Sequence, residues 1–376
     1  MIQRTIYLEA LKTWRDKQVI KVVTGVRRCG KSTLFQQYIN LLLTNGVQQE
    51  NIIYINLEDL GFERLLDYRE LYTYIAERLS TSANTYVFLD EVQQCKNFEK
   101  AVDSLYLREN VDIYITGSNA NLLSGELATL LSGRYVLIEM LPLSFKEFAA
   151  SCGTAESVRE CFNRYLRFGS FPFLTQLEGT ESAFRTYIEG IYSTILVKDI
   201  ASREGIADIS LLEDITRFLS SSIGSPISAK RISDSINASG RKISVNTVDK
   251  YLKALTESFI FYRADRFDVK GRNLLKTLSK YYIVDTGLRN YLLPPSSLDL
   301  GHQIENIVFL ELLRRNFRVN VGKVGDREVD FVASDKNQSI YFQVATTVMA
   351  EDTLKRELDA FRAIPDNFPR VLLTLD

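Results

Sequence analysis

The stretch TGVRRCGKSTL, residues 24–34, constrains the fold more than any other part of the chain. Gly25, four further residues and then Gly30-Lys31-Ser32 is a spacing in which backbone N–H groups wrap phosphates. In that arrangement the lysine reaches the β- and γ-phosphates and the hydroxyl binds Mg²⁺. The loop needs a buried strand ahead of it and a helix behind it, so that phosphate meets a helix N-terminus. Both flanks comply: VIKVVTG (19–25) is a β-branched run suited to a buried strand, and STLFQQYINLLL has helical spacing. Gly25, Val26, Arg27, Arg28, Cys29, Gly30, Lys31, Ser32 and Thr33 are therefore the expected cradle for ATP, or for ADP after turnover, with Ser32 on Mg²⁺.

A phosphate cradle hydrolyses nothing without acids. NIIYINLED (51–59) predicts a second strand and NTYVFLDEVQ (84–93) a third. Apolar Tyr86 to Leu89 deliver Asp90 and Glu91 to that strand's C-terminal end, the edge where ligands bind in open α/β sheets. Asp90 is expected to hold Mg²⁺ through water, and Glu91 to orient and deprotonate the attacking water. VDIYITGSNANLL (111–123) predicts a further strand ending in Thr116, Ser118 and Asn119. A polar side chain there, such as Asn119, either senses the γ-phosphate or belongs to a turn. YVLIEM adds a fifth strand, preceded by Arg134. That arginine is either a finger reaching a neighbouring subunit's γ-phosphate or a surface residue in a local ion pair.

Composition narrows the class. With 376 residues, 45% hydrophobic and 25% charged, the chain has room for two or three ordinary globular domains. Its net charge of -1 demands no nucleic acid globally. The charge is uneven, however: residues 225–290 hold 13 Lys/Arg against 6 Asp/Glu, a surplus of +7 that leaves -8 for the rest. Four cysteines without a CxxC pair and the single His302 give a zinc site too few ligands and favour a reducing cytoplasm. The N-terminus lacks a secretory apolar segment and no run is long enough to span a membrane, so a soluble protein is expected.

Together GVRRCGKSTL, VFLDEVQ, ITGSNA and LSGRYVLIEMLPLSFKEF resemble a group of prokaryotic AAA-type ATPases whose C-terminal half is a domain of unknown function. The resemblance continues through FGSFPF (168–173), LVKDI (196–200), KYYIVDTGLRN, ENIVF, REVDFVA and YFQVA, nearly the whole chain. It implies an AAA-like fold with ATP as ligand and Mg²⁺ as cofactor. In such ATPases an asparagine on the second strand restrains the catalytic glutamate, a place Asn56 occupies; Asn56 equally suits a strand end.

Residues 145–212 are rich in helical spacing, which suits a small helical lid from which Arg164 or Arg167 reaches phosphate or merely faces solvent. From 211 to 267, three short amphipathic helices lead into a strand, describing a winged helix-turn-helix. Ser244 and Asn246 begin its recognition helix. Arg241, Lys242, Lys250, Lys253, Arg263 and Arg266 are its candidate DNA contacts, on a surface that serves equally as a protein-interaction face. In the last 75 residues, Glu305 on a helix, Asp330 on one strand and Gln343 on the next have the order of a restriction-endonuclease-like site. Gln343 replaces a carboxylate and Ala345 stands where a lysine is needed, with no evident substitute, so the site is expected to be degenerate. The chain ends on VLLTLD straight after a strand-like run, which suggests a further element beyond Asp376.

The expected fold is therefore α/β. An AAA-like P-loop NTPase core (1–148) is followed by a helical lid (149–210), a winged-helix domain (211–295) and a nuclease-like α/β domain (296–376). Three functions follow: an ATPase acting with duplex DNA, a signalling-type ATPase switch acting on a protein partner, or an ATP-regulated nuclease. Where Arg134 acts as a finger, the first two require a homo-oligomer.

Overall fold

The computed structural model describes residues 2–117, 131, 133–153, 156–177, 180–202, 205–293, 300–336 and 338–376, with backbone alone at 276 and 277. The chain divides into two compact units, Met1–Ser151 and Cys152–Asp376.

The first unit is built on a parallel sheet of β1 (Ile20–Thr24), β2 (Ile52–Asn56), β3 (Thr85–Asp90), β4 (Val111–Gly117) and β5 (Tyr135–Glu139), in the order β2-β3-β4-β1-β5. β1 and β3 are buried at every position, as their mainly apolar runs require in a sheet covered on both faces, and the one lysine in β1, Lys21, pairs with Asp112 of β4. Helices α1 (Thr5–Thr13), α2 (Lys31–Thr44), α3 (Tyr68–Ala76) and α4 (Phe98–Tyr106) cover it, and a capped helix α5 (Phe145–Ala149) closes the unit. One core cluster joins Val22, Ile55, Leu89 and Ile115 to Leu71, Ile75, Val102 and Leu105.

The second unit begins with α6 (Val158–Phe168) and α7 (Glu181–Thr194), the latter running on as a π-helical turn over Ile195–Ala201. Three helices follow, α8 (Ile209–Ser221), α9 (Ala229–Ala238) and α10 (Val245–Glu257), started by Asp208, Ser228 and Ser244, whose side chains accept backbone N–H bonds. The α9–α10 turn is closed by Asn237, whose amide both accepts from Ile243 N–H and donates to Ile243 C=O. A hairpin of β6 (Phe261–Asp268) and β7 (Asn273–Ile283) leads to α11 (Thr286–Leu292) and α12 (Leu300–Arg314). β8 (Arg318–Val324), β9 (Arg327–Ser334), β10 (Ser339–Val344), α13 (Glu351–Arg362) and β11 (Arg370–Leu373) complete the unit.

The boundary expected at 295/296 does not separate two sheets. The hairpin and the later strands form one six-stranded sheet, ordered β11-β10-β9-β8-β6-β7, because β6 uses its second edge to pair in parallel with β8. The helices expected as a separate segment at 149–210 likewise group with everything after Cys152. Cys152 and Cys161, nine residues apart, form a disulfide, which the absence of CxxC spacing did not suggest; Cys29 and Cys95 are buried thiols. Among the described residues, no helix is long and apolar enough to cross a membrane.

The FGSFPF and VDTGLRN stretches interlock. Asp285, fully enclosed, caps α11 at Leu288 N–H and accepts from both the backbone and the hydroxyl of Ser170. Thr286 donates to Tyr165 C=O and Asn290 to Leu166 and Arg167 C=O, so the start of α11 satisfies the last carbonyls of α6. The contact leaves no room for side chains: a Cβ on Gly287 would stand 2.0 Å from Phe168 O, and one on Gly169 (φ +90°) 2.3 Å from an Asp285 oxygen. Gly287→Ala is expected to cost about 2–3 kcal/mol, through forced separation of the two helices. Urea unfolding monitored in the second unit, with an unchanged midpoint, would refute this packing.

Candidate nucleotide site

The loop after β1 turns on two glycines at positive φ. Gly25 has φ +144°, and a Cβ there would sit 2.1 Å from Met140 O; Gly30 has φ +103°. Arg28 (φ +69°) and, across the sheet edge, Glu91 (φ +53°) are non-glycine residues held in the left-handed region. Such strain persists only where the surroundings over-determine it. α2 starts with no side-chain cap and no acid in its first turn, so its N-terminal N–H groups and dipole have no anion of their own. Lys31 is buried, and among the described residues its ammonium donates to the Gly25 and Val26 carbonyls, 3.1 and 3.4 Å away, with no carboxylate partner. Among the described residues, the buried Thr24 hydroxyl beneath the loop has no partner. An uncapped helix end, a lysine on loop carbonyls and an orphan hydroxyl fit a polyphosphate.

The remaining cradle residues divide by exposure. Val26 and Cys29 are buried, Arg27 and Ser32 are half-buried, and Arg28 and Thr33 are exposed. Arg27 contacts Glu58 at 3.5 Å. The Cys29 thiol is pushed up in pKa by burial, which makes it an inert packing group.

Asp90 and Glu91 end β3. Leu89 lies opposite Ile115, and Ile115 opposite Val22, so β4 separates the acids from the loop strand by about two strand spacings, roughly 10 Å. Asp90 is wholly enclosed; Thr116 Oγ1 donates to its Oδ1, and the Tyr54 hydroxyl donates to its Oδ2 at 2.9 Å. Glu91 N–H donates to Thr116 Oγ1 at 2.9 Å, and the Glu91 carboxylate accepts from Gln93. Asn56, in register with Asp90, turns its amide oxygen to Glu58 N–H at 3.0 Å, the strand-ending role. Ser118 and Asn119 lie outside the described residues.

Arg134 stands apart from this site. It precedes β5 at the sheet's N-terminal edge, where Tyr135 pairs with Ile20, whereas the loop follows Thr24. Its guanidinium lies 5.2 Å from the centre of the Tyr106 ring.

Two residues at this site gave no signal in the motifs. Tyr54 is one. The other is Arg4, which donates to Cys29 C=O at 2.9 Å, to Leu141 C=O at 2.6 Å and to Pro142 C=O at 3.3 Å, and pairs with Glu147 at 3.0 Å. It ties the back of the loop to the chain leaving β5.

In the second unit the structure brings Glu305, Asp330 and Gln343 together. Asp330 N–H donates to Gln343 Oε1 at 3.3 Å, its Oδ2 accepts from Val344 N–H at 2.8 Å, and Gln343 donates to Glu357 at 2.8 Å. The expectation that nothing supplies a lysine needs correction. Lys280 on β7 reaches in from the hairpin and pairs with Glu305 at 3.0 Å and Glu328 at 2.8 Å, while Tyr282 donates to Glu305 at 2.7 Å. A cavity of about 470 Å³ opens beside the cluster, lined by Arg327, Glu328, Gln343, Lys355, Arg356 and Glu357 among others.

Burial and the Glu305 charge lift the Asp330 carboxyl to about 7. An acid whose folded pKa is raised favours folding below its unfolded value, near 4, and loses that contribution as pH climbs through 7. Asp330→Asn, which fixes the neutral form, is expected to flatten the fall in stability between pH 4 and 7. Denaturant midpoints across that range test it, and an unchanged slope counts against it.

The six candidate DNA contacts are partly spent on neighbours. Arg241 pairs with Asp214 at 2.9 Å and donates to Ser210, Lys253 pairs with Glu257 at 3.5 Å, and Arg263 pairs with Asp265 at 2.7 Å. Among the described residues, the buried Nε of Arg266 has no partner; Lys242 and Lys250 are exposed. Arg164 pairs with Glu156 at 3.3 Å and Arg167 with Glu181. Among the described residues, Cys152, Glu156 and Cys161 group as metal ligands would, but the two sulfurs are joined to each other.

Comparison with known proteins agrees with the fold. Residues 17–149 match the family described as AAA domain, and residues 159–299 the Domain of unknown function (DUF8612). An uncharacterized protein of Haemophilus influenzae is 39% identical over 378 residues, covering 100% of this chain and 93% of the relative. The uncharacterized protein MJ1544 of Methanocaldococcus jannaschii is 32% identical over 368 residues, covering 92% and 79%. The solved Walker-type ATPase PABY2304 of Pyrococcus abyssi, 17% identical, superposes with a TM-score of 0.54 over 78% of this chain and 96% of its own, a likeness of fold. Full-length identity at this level means that the chain belongs to the family of the Haemophilus and Methanocaldococcus proteins, with an AAA domain followed by a domain of unknown function.

Proposed function

We propose that the chain binds ATP at the loop Gly25–Thr33 and hydrolyses it with Mg²⁺. The observation that carries this reading is the uncapped N-terminus of α2 with Lys31 on loop carbonyls, separated by one intervening strand from two enclosed acids. Loop N–H groups and Lys31 would hold the phosphates, and Ser32 and Asp90 would hold Mg²⁺. The metal would supply neutralisation of phosphate charge. Glu91, aimed by its strained backbone and the Thr116 contact, takes the proton of the attacking water. Asn119 is assigned to sensing the γ-phosphate, and Arg134, exposed at the far edge, to reaching the site of a neighbouring copy. A cytoplasmic location supplies the nucleotide.

For the second unit we infer a winged-helix arrangement in α8–α10 with the β6–β7 hairpin, and a nuclease-like arrangement in α12–β11. With Lys280 engaged by two glutamates, we assign Glu305, Asp330 and Gln343 to holding that fold together rather than to cutting DNA. Conformational work driven by hydrolysis is directed either to DNA or to a protein partner. The pairing of Arg241, Lys253 and Arg263 with neighbouring acids favours a protein-directed switch as a reading equal to the DNA-associated one.

Lys31→Ala is expected to weaken ATP binding by about 100-fold, the scale of losing one charged phosphate contact. Glu91→Gln is expected to keep binding while slowing turnover by about 100-fold or more. Wild-type turnover in Glu91→Gln would remove Glu91 as the base. ATPase rates with and without duplex DNA across a salt series separate the outputs: stimulation that falls steeply with salt supports DNA, and indifference supports a protein partner.

A further inference from the structure

Asp90 raises a geometric problem. A carboxylate that holds a hydrated cation must present particular lone pairs toward the phosphate side, and a buried one has no solvent shell to keep it there. Its two oxygens offer about four acceptor positions in all. In this structure two of those are taken by hydroxyls from the strands on either side: Thr116 of β4 on Oδ1 and Tyr54 of β2 on Oδ2. The residue directly opposite Asp90 on β2 is Asn56, yet its side chain is spent on the turn at Glu58. Tyr54 lies two residues earlier on the same face of the strand and spans the diagonal instead.

The phenol is anchored in turn. Gln36 of α2 lies near the same oxygen, and it stands four residues after Ser32, on the same helix face. Tyr54 therefore lies between the helix that presents Ser32 and the acid proposed to complete the metal site, and it bonds to that acid.

We propose that Tyr54 is a positioning residue for the metal: its hydroxyl fixes the Asp90 carboxylate so that the two remaining acceptor positions face the Mg²⁺ held by the nucleotide and Ser32. This deepens, and rests on, the nucleotide-site reading. Groups that orient a metal's ligands without touching the metal alter its affinity about tenfold or more when removed. The phosphate-binding elements, Lys31 and the loop N–H groups, do not involve Tyr54, so the two contributions are separable.

The test uses the full chain and binding rather than turnover. Fluorescence of N-methylanthraniloyl-ADP is titrated with wild type, Tyr54→Phe and the control Tyr86→Phe, first in EDTA and then across a Mg²⁺ series. Tyr86 donates to Asp16 at 2.8 Å, away from the acids, so its loss reports only the effect of deleting a part-buried tyrosine hydroxyl. The expected result is an unchanged EDTA affinity for both variants, with the Mg²⁺ midpoint raised about tenfold in Tyr54→Phe alone. A Tyr54→Phe midpoint equal to wild type overturns the proposal and leaves the nucleotide site standing. A parallel loss of EDTA affinity in Tyr54→Phe also overturns it, since the tyrosine would then be a general support of the loop. Wild-type protein that binds no nucleotide in either condition overturns the site reading itself.

Discussion

Charge separation governs the first unit. A lysine and an uncapped helix N-terminus lie at the end of one strand and two carboxylic acids at the end of another, and opposite charges in a low-dielectric interior attract strongly. Adjacent strands would place them about 5 Å apart, close enough to collapse into an ion pair. β4 lies between β1 and β3 and prevents this. Among the described residues, Lys31 is left on loop carbonyls and Asp90 on hydroxyls, and Glu91 accepts from an amide. The gap between them keeps positive and negative character on opposite walls, the arrangement needed by a ligand that is itself an anion carrying a cation.

The second unit solves a different burial problem. Glu305 and the acids beside it sit against a sheet whose core is aromatic, with Tyr282 stacked on Phe309 at 4.1 Å. Unpaired carboxylates there would be severely destabilising, and a single ammonium, Lys280, answers two of them. The FGSFPF and VDTGLRN stretches have an equally structural explanation. Their glycines let Asp285 and the first turn of α11 press against the end of α6, and their polar residues satisfy the backbone groups that the contact removes from water.

What could be read in the chain was whatever rested on neighbouring residues. The loop glycines, the buried β1 and β3 runs and the helix start at Ser244 are local patterns, and local patterns survive in one dimension. Arg4 acts on a carbonyl 137 residues away, and Lys280 on an acid 25 residues away on another element. Tyr54 looked like one more alternating strand residue. The unity of the second sheet was hidden for the same reason: β6 and β8 are parallel neighbours that meet only after two intervening helices, and nothing in either strand's composition names its partner.

That shared sheet has a practical side. Anyone dissecting the protein would cut between the helical part and the last strands, near residue 295. A fragment ending there would lose β8, and with it the partner of the β6 edge at Arg266, Phe267 and Asp268. It would also lose the acids that neutralise Lys280, leaving a buried cation beside a raw strand edge. Insolubility of such a piece would say nothing about the helices it was made to isolate. A cut at the Ser151/Cys152 junction leaves every strand pairing of both sheets whole.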